Sequence, residues 1–227
     1  MTEVVVVCEG RTEETFVRRL LCESLSERGV YLHSRLIPTS TSGRGGALTP
    51  DRVLRSLRNT LRERHDVYVS TFFDLYGLHP EFPGYSSQLR GIGSITQAQK
   101  IEQSLHQAVL KQTDCRPERF LPHIQPYEFE ALLFSDTDCL AEVNSEWRSF
   151  SADLRSVRRS VSTPEEINDG PNTHPSARLK RLPGYKKAAN GILVAEAIGL
   201  GKIRSECQHF NAWLSRIENL KPLERGS

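Results

Sequence analysis

The chain has 227 residues, enough for one or two domains. Hydrophobic residues make up 37% and charged residues 26%, an ordinary globular mixture that excludes collagen, long coiled coil and wholesale disorder. Basic residues number 30 and acidic residues 28, and the resulting net charge of +2 neither demands nor excludes a nucleic-acid partner.

Residues 4–8 are a continuous apolar, β-branched run, the pattern of a strand buried on both faces. Thr12 is placed to cap the following helix, with Glu13 and Glu14 in its first turn and Phe16, Val17, Leu20, Leu21 and Leu25 along its apolar stripe. Gly29 stops it. A second strand follows at 31–37, and residues 39–47 form a polar loop. Thr49-Pro50-Asp51 opens a second helix that buries Val53, Leu54, Leu57 and Leu61. The third strand, 66–73, ends at Asp74. Residues 75–95 are a long irregular stretch of the kind that often carries function. A helix over 96–111, a strand over 119–125 and a helix from 127 to 134 complete an alternation that predicts an α/β fold with a mostly parallel sheet. Beyond Asp136 the pattern is mainly helical. Thr163-Pro164-Glu165-Glu166 has the capping-box form, Asn168-Asp169-Gly170-Pro171 is a turn, and a last helix over 202–217 buries Ile203, Phe210, Trp213, Leu214 and Ile217. The division expected is an α/β core over 1–140 with a helical extension, 141–227, packed on it.

No apolar run approaches the ~20 residues of a membrane span. Met1-Thr2-Glu3 leads straight into the first strand with no basic region or cleavage site, so neither a signal peptide nor a membrane partner is expected. Cys8, Cys22, Cys115, Cys139 and Cys207 are odd in number, scattered and without a CxxC, which predicts a reduced, cytoplasmic protein.

Ligands of open α/β sheets bind beyond the carboxyl ends of the strands. Three strands deliver acids there: Glu9 after the first, Asp74 after the third, Glu128 and Glu130 after the fourth, with Glu13 one helical turn from Glu9. Carboxylates gathered in one cleft either hold a proton or are neutralised by a divalent cation. An all-oxygen set suits Mg2+ or Mn2+, and such an ion favours phosphodiester hydrolysis. The competing reading makes each acid a helix cap or a solvated loop residue.

Residues 4–14, VVVVCEGRTEE, place EGxTE after an apolar strand. This resembles the Toprim fold of topoisomerases, primases and overcoming-lysogenization-defect nucleases, in which a Glu follows the first strand and a DxD follows the third. Glu9 matches the Glu and Asp74 the first Asp, whereas Tyr76 stands at the second Asp. More of the chain is similar to a bacterial family of unknown function related to Toprim proteins. The similarity runs through EGRTEE, FDLYGL (73–78), YEFEALLFSD (127–136), EINDGPNTHPSARL (166–179), PGYKK (183–187), IGL (198–200) and CQHFNAWL (207–214). The resemblance implies a metal-dependent nuclease acting on DNA or RNA, encoded beside an ATPase of phage defence. Glu9 and Asp74 are the metal ligands it implies, and the strand-end reading adds Glu13, Glu128 or Glu130 as helpers. Glu9, Lys187 and Arg178 are the catalytic candidates, with Ser176 beside them. The alternative is a catalytically silent, regulatory Toprim-like subunit, which the missing second Asp favours. A third reading is a phosphatase of small molecules. Homo-oligomerisation is left open.

Other features divide between function and ordinary surface. Arg178, Lys180, Arg181, Lys186 and Lys187 either hold phosphate or form a solvated basic face. The same choice applies to Arg148, Arg155, Arg158 and Arg159. The segment from Thr173 to Ser176 opens a helix whose N-terminus suits an anion. Residues 42–46, SGRGG, lack the Lys-Ser/Thr of a phosphate-binding loop and are read as a flexible loop. No histidines fall in HExxH or HxH spacing, so a zinc hydrolase is not expected. His123 is a hydrogen-bonded core residue or a proton shuttle, and His209 packs beside Phe210 and Trp213. Tyr76, Phe82, Tyr85 and Tyr127 either stack on bases or pack.

Overall fold

The computed structural model describes residues 1–37, 49–86, 89, 91–168, 170 and 172–223. Strands β1 (Thr2–Cys8), β2 (Val30–Leu36), β3 (Tyr68–Asp74), β4 (Phe120–Leu121) and β5 (Ile124–Gln125) form one sheet in the order β2-β1-β3-β4, with β5 also beside β3. Every pairing is parallel. The order reverses between β1 and β3, the point at which doubly wound sheets open a crevice at their carboxyl edge.

Alternation along the strands separates two apolar layers. Val4, Val6 and Cys8 of β1 and Phe72 of β3 point into one layer, shared with Phe16, Leu21 and Leu25 and with Phe210, Trp213 and Ile217 near the C-terminus. Val7, Val69 and Phe73 point into the other, against Val53, Leu57 and Leu61 of α3 (Pro50–Glu63) and Ile101, Leu105 and Val109 of α4 (Ser94–Leu110). Residues beyond 140 thus bury their apolar side chains in the layer that β1 and β3 already form.

Several local expectations are corrected. The first helix starts at Arg11 with Gly10 as its cap residue, so Thr12 lies inside it and caps nothing. It runs as α1 (Arg11–Phe16), widens into a π turn (Val17–Leu21) and continues as α2 (Cys22–Ser26). The expected strand over 119–125 is two dipeptides. Pro122 cannot donate to the ladder, and His123 turns both of its backbone groups to Thr71. The Thr71 hydroxyl accepts from His123 N–H and donates to His123 C=O, each at 2.8 Å. Glu128 is extended rather than helical, and the turn after it (Phe129–Ser135) is a 3-10 helix. Tyr127 just before it has φ 57°, so the chain reverses sharply there.

The second half continues through α5 (Thr137–Glu142), α6 (Ser151–Arg159), α7 (Pro175–Leu179) and α8 (Lys187–Ile198). The last expected helix is two, α9 (Leu200–Glu206) and α10 (Gln208–Glu218), separated at Cys207. Thr163 does accept from Glu165 N–H, but Glu166 takes a bond from Ser162 instead of completing a capping box. The SGRGG segment, Asp169 and Pro171 lie outside the described residues. Among the described residues, no helix is long and apolar enough to cross a membrane. All five cysteines are free, with Cys8 and Cys207 buried.

Candidate active site

Four elements bring acids to the carboxyl edge of the sheet beside the β1–β3 reversal. Glu9 follows β1 directly. Its Oε2 accepts the backbone N–H of Asp74 at 3.3 Å, which ties the ends of the two strands together. Gly77 backs Glu9 closely, since a Cβ there would lie 3.2 Å from Glu9 Oε1. Glu13 comes from the first turn of α1 and leans over Gly10, where an added Cβ would sit only 2.8 Å from its Oε2. Asp74 ends β3, and its Oδ1 accepts Phe129 N–H at 2.8 Å. Glu130 projects from the 3-10 turn and has no exposed surface.

Lys187, the first residue of α8, reaches into this group. Its Nζ lies 3.1 Å from Glu13 Oε1, 3.0 Å from Glu130 Oε2 and 3.4 Å from Asp74 Oδ2. Only the Asp74 contact has hydrogen-bond geometry. Glu13 Oε1 and Glu130 Oε2 are buried charge partners of Lys187 without a bond of hydrogen-bond geometry, and Glu130 Oε1 is buried without any hydrogen-bond partner.

Three carboxylates thus share one ammonium, and Glu9 stands beside them, tied to the backbone of Asp74. Burial raises the pKa of Asp74 well above its ordinary value; Lys187 opposes this, and Glu13, Glu9 and Glu130 reinforce it. Burial and the neighbouring Glu13 raise that of Glu9. Burial also raises Glu130, with Lys187 only partly offsetting it. For Lys187 itself burial disfavours the charge, but Asp74, Glu13 and Glu130 outweigh it and hold the amine protonated. These acids need positive charge that one lysine does not provide.

An all-oxygen set with unpartnered buried atoms fits a hard divalent cation, Mg2+ or Mn2+. Glu9, Glu13, Asp74 and Glu130 would hold it.

The remaining predicted residues divide. Glu128 faces the other way. Its Oε1 accepts Ser176 N–H at the start of α7 and pairs with His174 Nδ1 at 3.1 Å. The anion expected at that helix start is therefore the protein's own Glu128. Arg178 donates its Nε to the Thr173 carbonyl and braces the turn before α7. Tyr76, at the position of the second Asp, is 56% exposed and stacks on His174 with ring centroids 4.7 Å apart. Phe82 is core. Of the second basic stretch, Arg155 pairs with Asp138, Arg158 with Glu206 and Arg148 with Glu142.

Sequence reasoning missed two groupings. His174 joins Glu128, and Glu102 joins His123 and His209. No spacing rule links members so far apart in the chain, and only the fold brings them together.

The fold and site define an α/β protein with a parallel sheet, flanked by helices, that gathers four acids and a lysine at its carboxyl edge. A family model described as a domain of unknown function, DUF4276, matches residues 8–218, and the chain belongs to that family. Comparison with curated proteins and with solved structures found no match.

Proposed function

We propose that this chain is a divalent-metal-dependent phosphodiesterase of Toprim type, which cleaves DNA or RNA in the cytoplasm as the effector partner of an ATPase in bacterial phage defence. The observation that carries the chemistry is the gathering of Glu9, Glu13, Asp74 and Glu130 around one half-buried lysine, which contacts the last three, at the ligand-binding edge of a parallel sheet. The nucleic-acid part rests on the EGxTE and strand-end Asp resemblance to Toprim nucleases, and the ATPase and phage-defence parts rest on the similarity to the bacterial family that runs through blocks such as YEFEALLFSD (127–136) and CQHFNAWL (207–214).

A bound Mg2+ or Mn2+ supplies Lewis acidity and an activated water at neutral pH. The chain's own groups do the rest. Glu9 and Asp74 fix the site rigidly, because each accepts a backbone N–H that sets its direction. Lys187 stays cationic and is 35% exposed, so it offers charge to a phosphate oxygen arriving from solvent. Tyr76 offers an exposed aromatic face, already backed by His174, on which a base can stack.

A second reading is a silent Toprim-like regulatory subunit. Tyr76 in place of the second Asp favours it, as does Lys187, which already contacts three of the four acids.

The deciding experiment incubates single- and double-stranded DNA and RNA with the full chain and Mg2+ or Mn2+, with and without an ATPase encoded nearby. Cleavage that falls by about 100-fold or more in Glu9→Gln and Asp74→Asn supports the nuclease, that being the scale on which a single stabilising group is lost. Full cleavage by Glu9→Gln removes Glu9 from the mechanism. No cleavage under any condition transfers the conclusion to the regulatory subunit.

A further inference from the structure

A second polar cluster is built from elements that contribute nothing to the carboxylate site. Glu102 of α4, His123 at the β4–β5 break and His209 of α10 each offer one ligand atom, and the three atoms lie within 4.8 Å of one another. Glu102 Oε1 is 2.8 Å from His209 Nε2 and 3.5 Å from His123 Nδ1. Ligands about 2.0–2.2 Å from a zinc ion are separated by about 3–3.5 Å, which the two Glu102 spacings approach; the His123 and His209 rings stack 24° apart, so one must tilt for both nitrogens to face the ion.

The surrounding hydrogen bonds decide which atoms carry protons. Beside Glu165, which accepts the backbone N–H of His209 and Phe210, Gln125 has a buried amide nitrogen with no hydrogen-bond partner. Its oxygen faces His123 Nε2 at 3.4 Å. Opposite an amide oxygen that ring nitrogen carries the hydrogen, which leaves Nδ1 a bare lone pair. His123 has no exposed surface, and its Nδ1 has no hydrogen-bond partner and faces the Glu102 carboxylate. His123 Nδ1 and Glu102 Oε1 thus face each other at 3.5 Å with no hydrogen bond between them, a pairing that a cation bound to both would satisfy.

We propose that Glu102, His123 and His209 form a binding site for a divalent transition metal, separate from the carboxylate cluster. Zinc suits two imidazole nitrogens and one carboxylate best. The supports expected around such ligands are present. Gln125 orients His123, and Ile124 N–H donates to Glu102 Oε1 at 2.8 Å. Glu102 lines a surface cavity with Gln99, Gln103, His106, Pro122 and Arg216, which gives an ion and its remaining water ligand a way in. The ion would staple α4 and α10 to the interrupted strand, so its role is to hold the C-terminal helix on the sheet.

The test strips the full-length chain with a chelator and titrates it with Zn2+, then with Co2+, whose visible absorption reports nitrogen–oxygen ligation. The expected result is one tightly held equivalent, a rise in Tm, and loss of both in Glu102→Gln and His209→Gln. Glu9→Gln and Asp74→Asn keep both. A wild-type chain that binds neither ion stoichiometrically overturns the site, and this measurement decides even where a variant does not fold. Binding that survives Glu102→Gln, or that disappears in Asp74→Asn, also overturns it. None of these readouts uses nuclease activity, so the site and the proposed function stand or fall separately.

Discussion

Lys187 is the residue on which the carboxylate cluster balances. It is the protein's only cation in contact with Glu13, Asp74 and Glu130 among the described residues. Lys187→Met leaves these acids to repel one another. The loss expected in urea denaturation at neutral pH is about 1–3 kcal/mol, less than for a fully buried pair because the lysine is partly solvated. Glu130→Gln acts in the opposite direction. That acid's pKa is raised, so its charged form is disfavoured in the fold, and its neutral replacement raises stability by about 1 kcal/mol while lowering activity. The same reasoning sets the pH dependence. Glu9, Asp74 and Glu130 all have raised pKa values, so the folded chain binds more protons than the unfolded one. Metal-free protein is therefore most stable toward these groups below the ordinary carboxylate range, and Tm falls as pH rises through their elevated values. Saturating Mg2+ or Mn2+ removes that decline. Thermal scans across mildly acidic to neutral pH, with and without the ion, measure it; a metal-free Tm that climbs over this range contradicts the electrostatic account.

At the scale of elements, the interrupted fourth strand is the device that places the site. Pro122 breaks the ladder, and Thr71 takes over the two backbone groups of His123. This keeps β5 in register with the end of β3, where Gln125 pairs with Asp74. Thr71→Val orphans a buried N–H and a buried C=O and costs about 2–4 kcal/mol in a denaturant titration, whereas Thr71→Ser retains both bonds and costs much less. The left-handed Tyr127 then swings the chain so that Glu128 and Glu130 part company, one to α7 and the other to Lys187. The sequence pattern read residues 127–134 as a single helix that keeps the two acids together. A 3.6-residue period does not register one residue of positive φ ahead of a 3-10 turn.

For the whole molecule, the C-terminal helices complete the fold rather than decorate it. Phe72 stacks on Trp213 at 5.5 Å and on His123 at 5.4 Å, and Phe16 meets Phe210 at 5.9 Å. Trp213 Nε1 also donates to Ser70 in the middle of β3. Residues 1–140 expressed alone would expose Phe16 and Phe72 and lose Lys187. The expected outcome is no cooperative unfolding transition by circular dichroism and calorimetry; a sharp transition for that fragment refutes a shared core.

The order of strands and helices, the parallel sheet and the acids at strand ends were legible in the chain because burial on both faces leaves continuous apolar runs and because strands stop where polar residues begin. Glu9, Asp74 and Lys187 were legible for that reason together with the family motifs. Which acids share a cation, and which is diverted to a helix start, was decided by tertiary structure. So was the meeting of Glu102 with His123 and His209. Side-chain direction depends on single backbone angles, on one hydroxyl replacing a ladder bond, and on helices packing from far along the chain, and none of these leaves a period in the sequence.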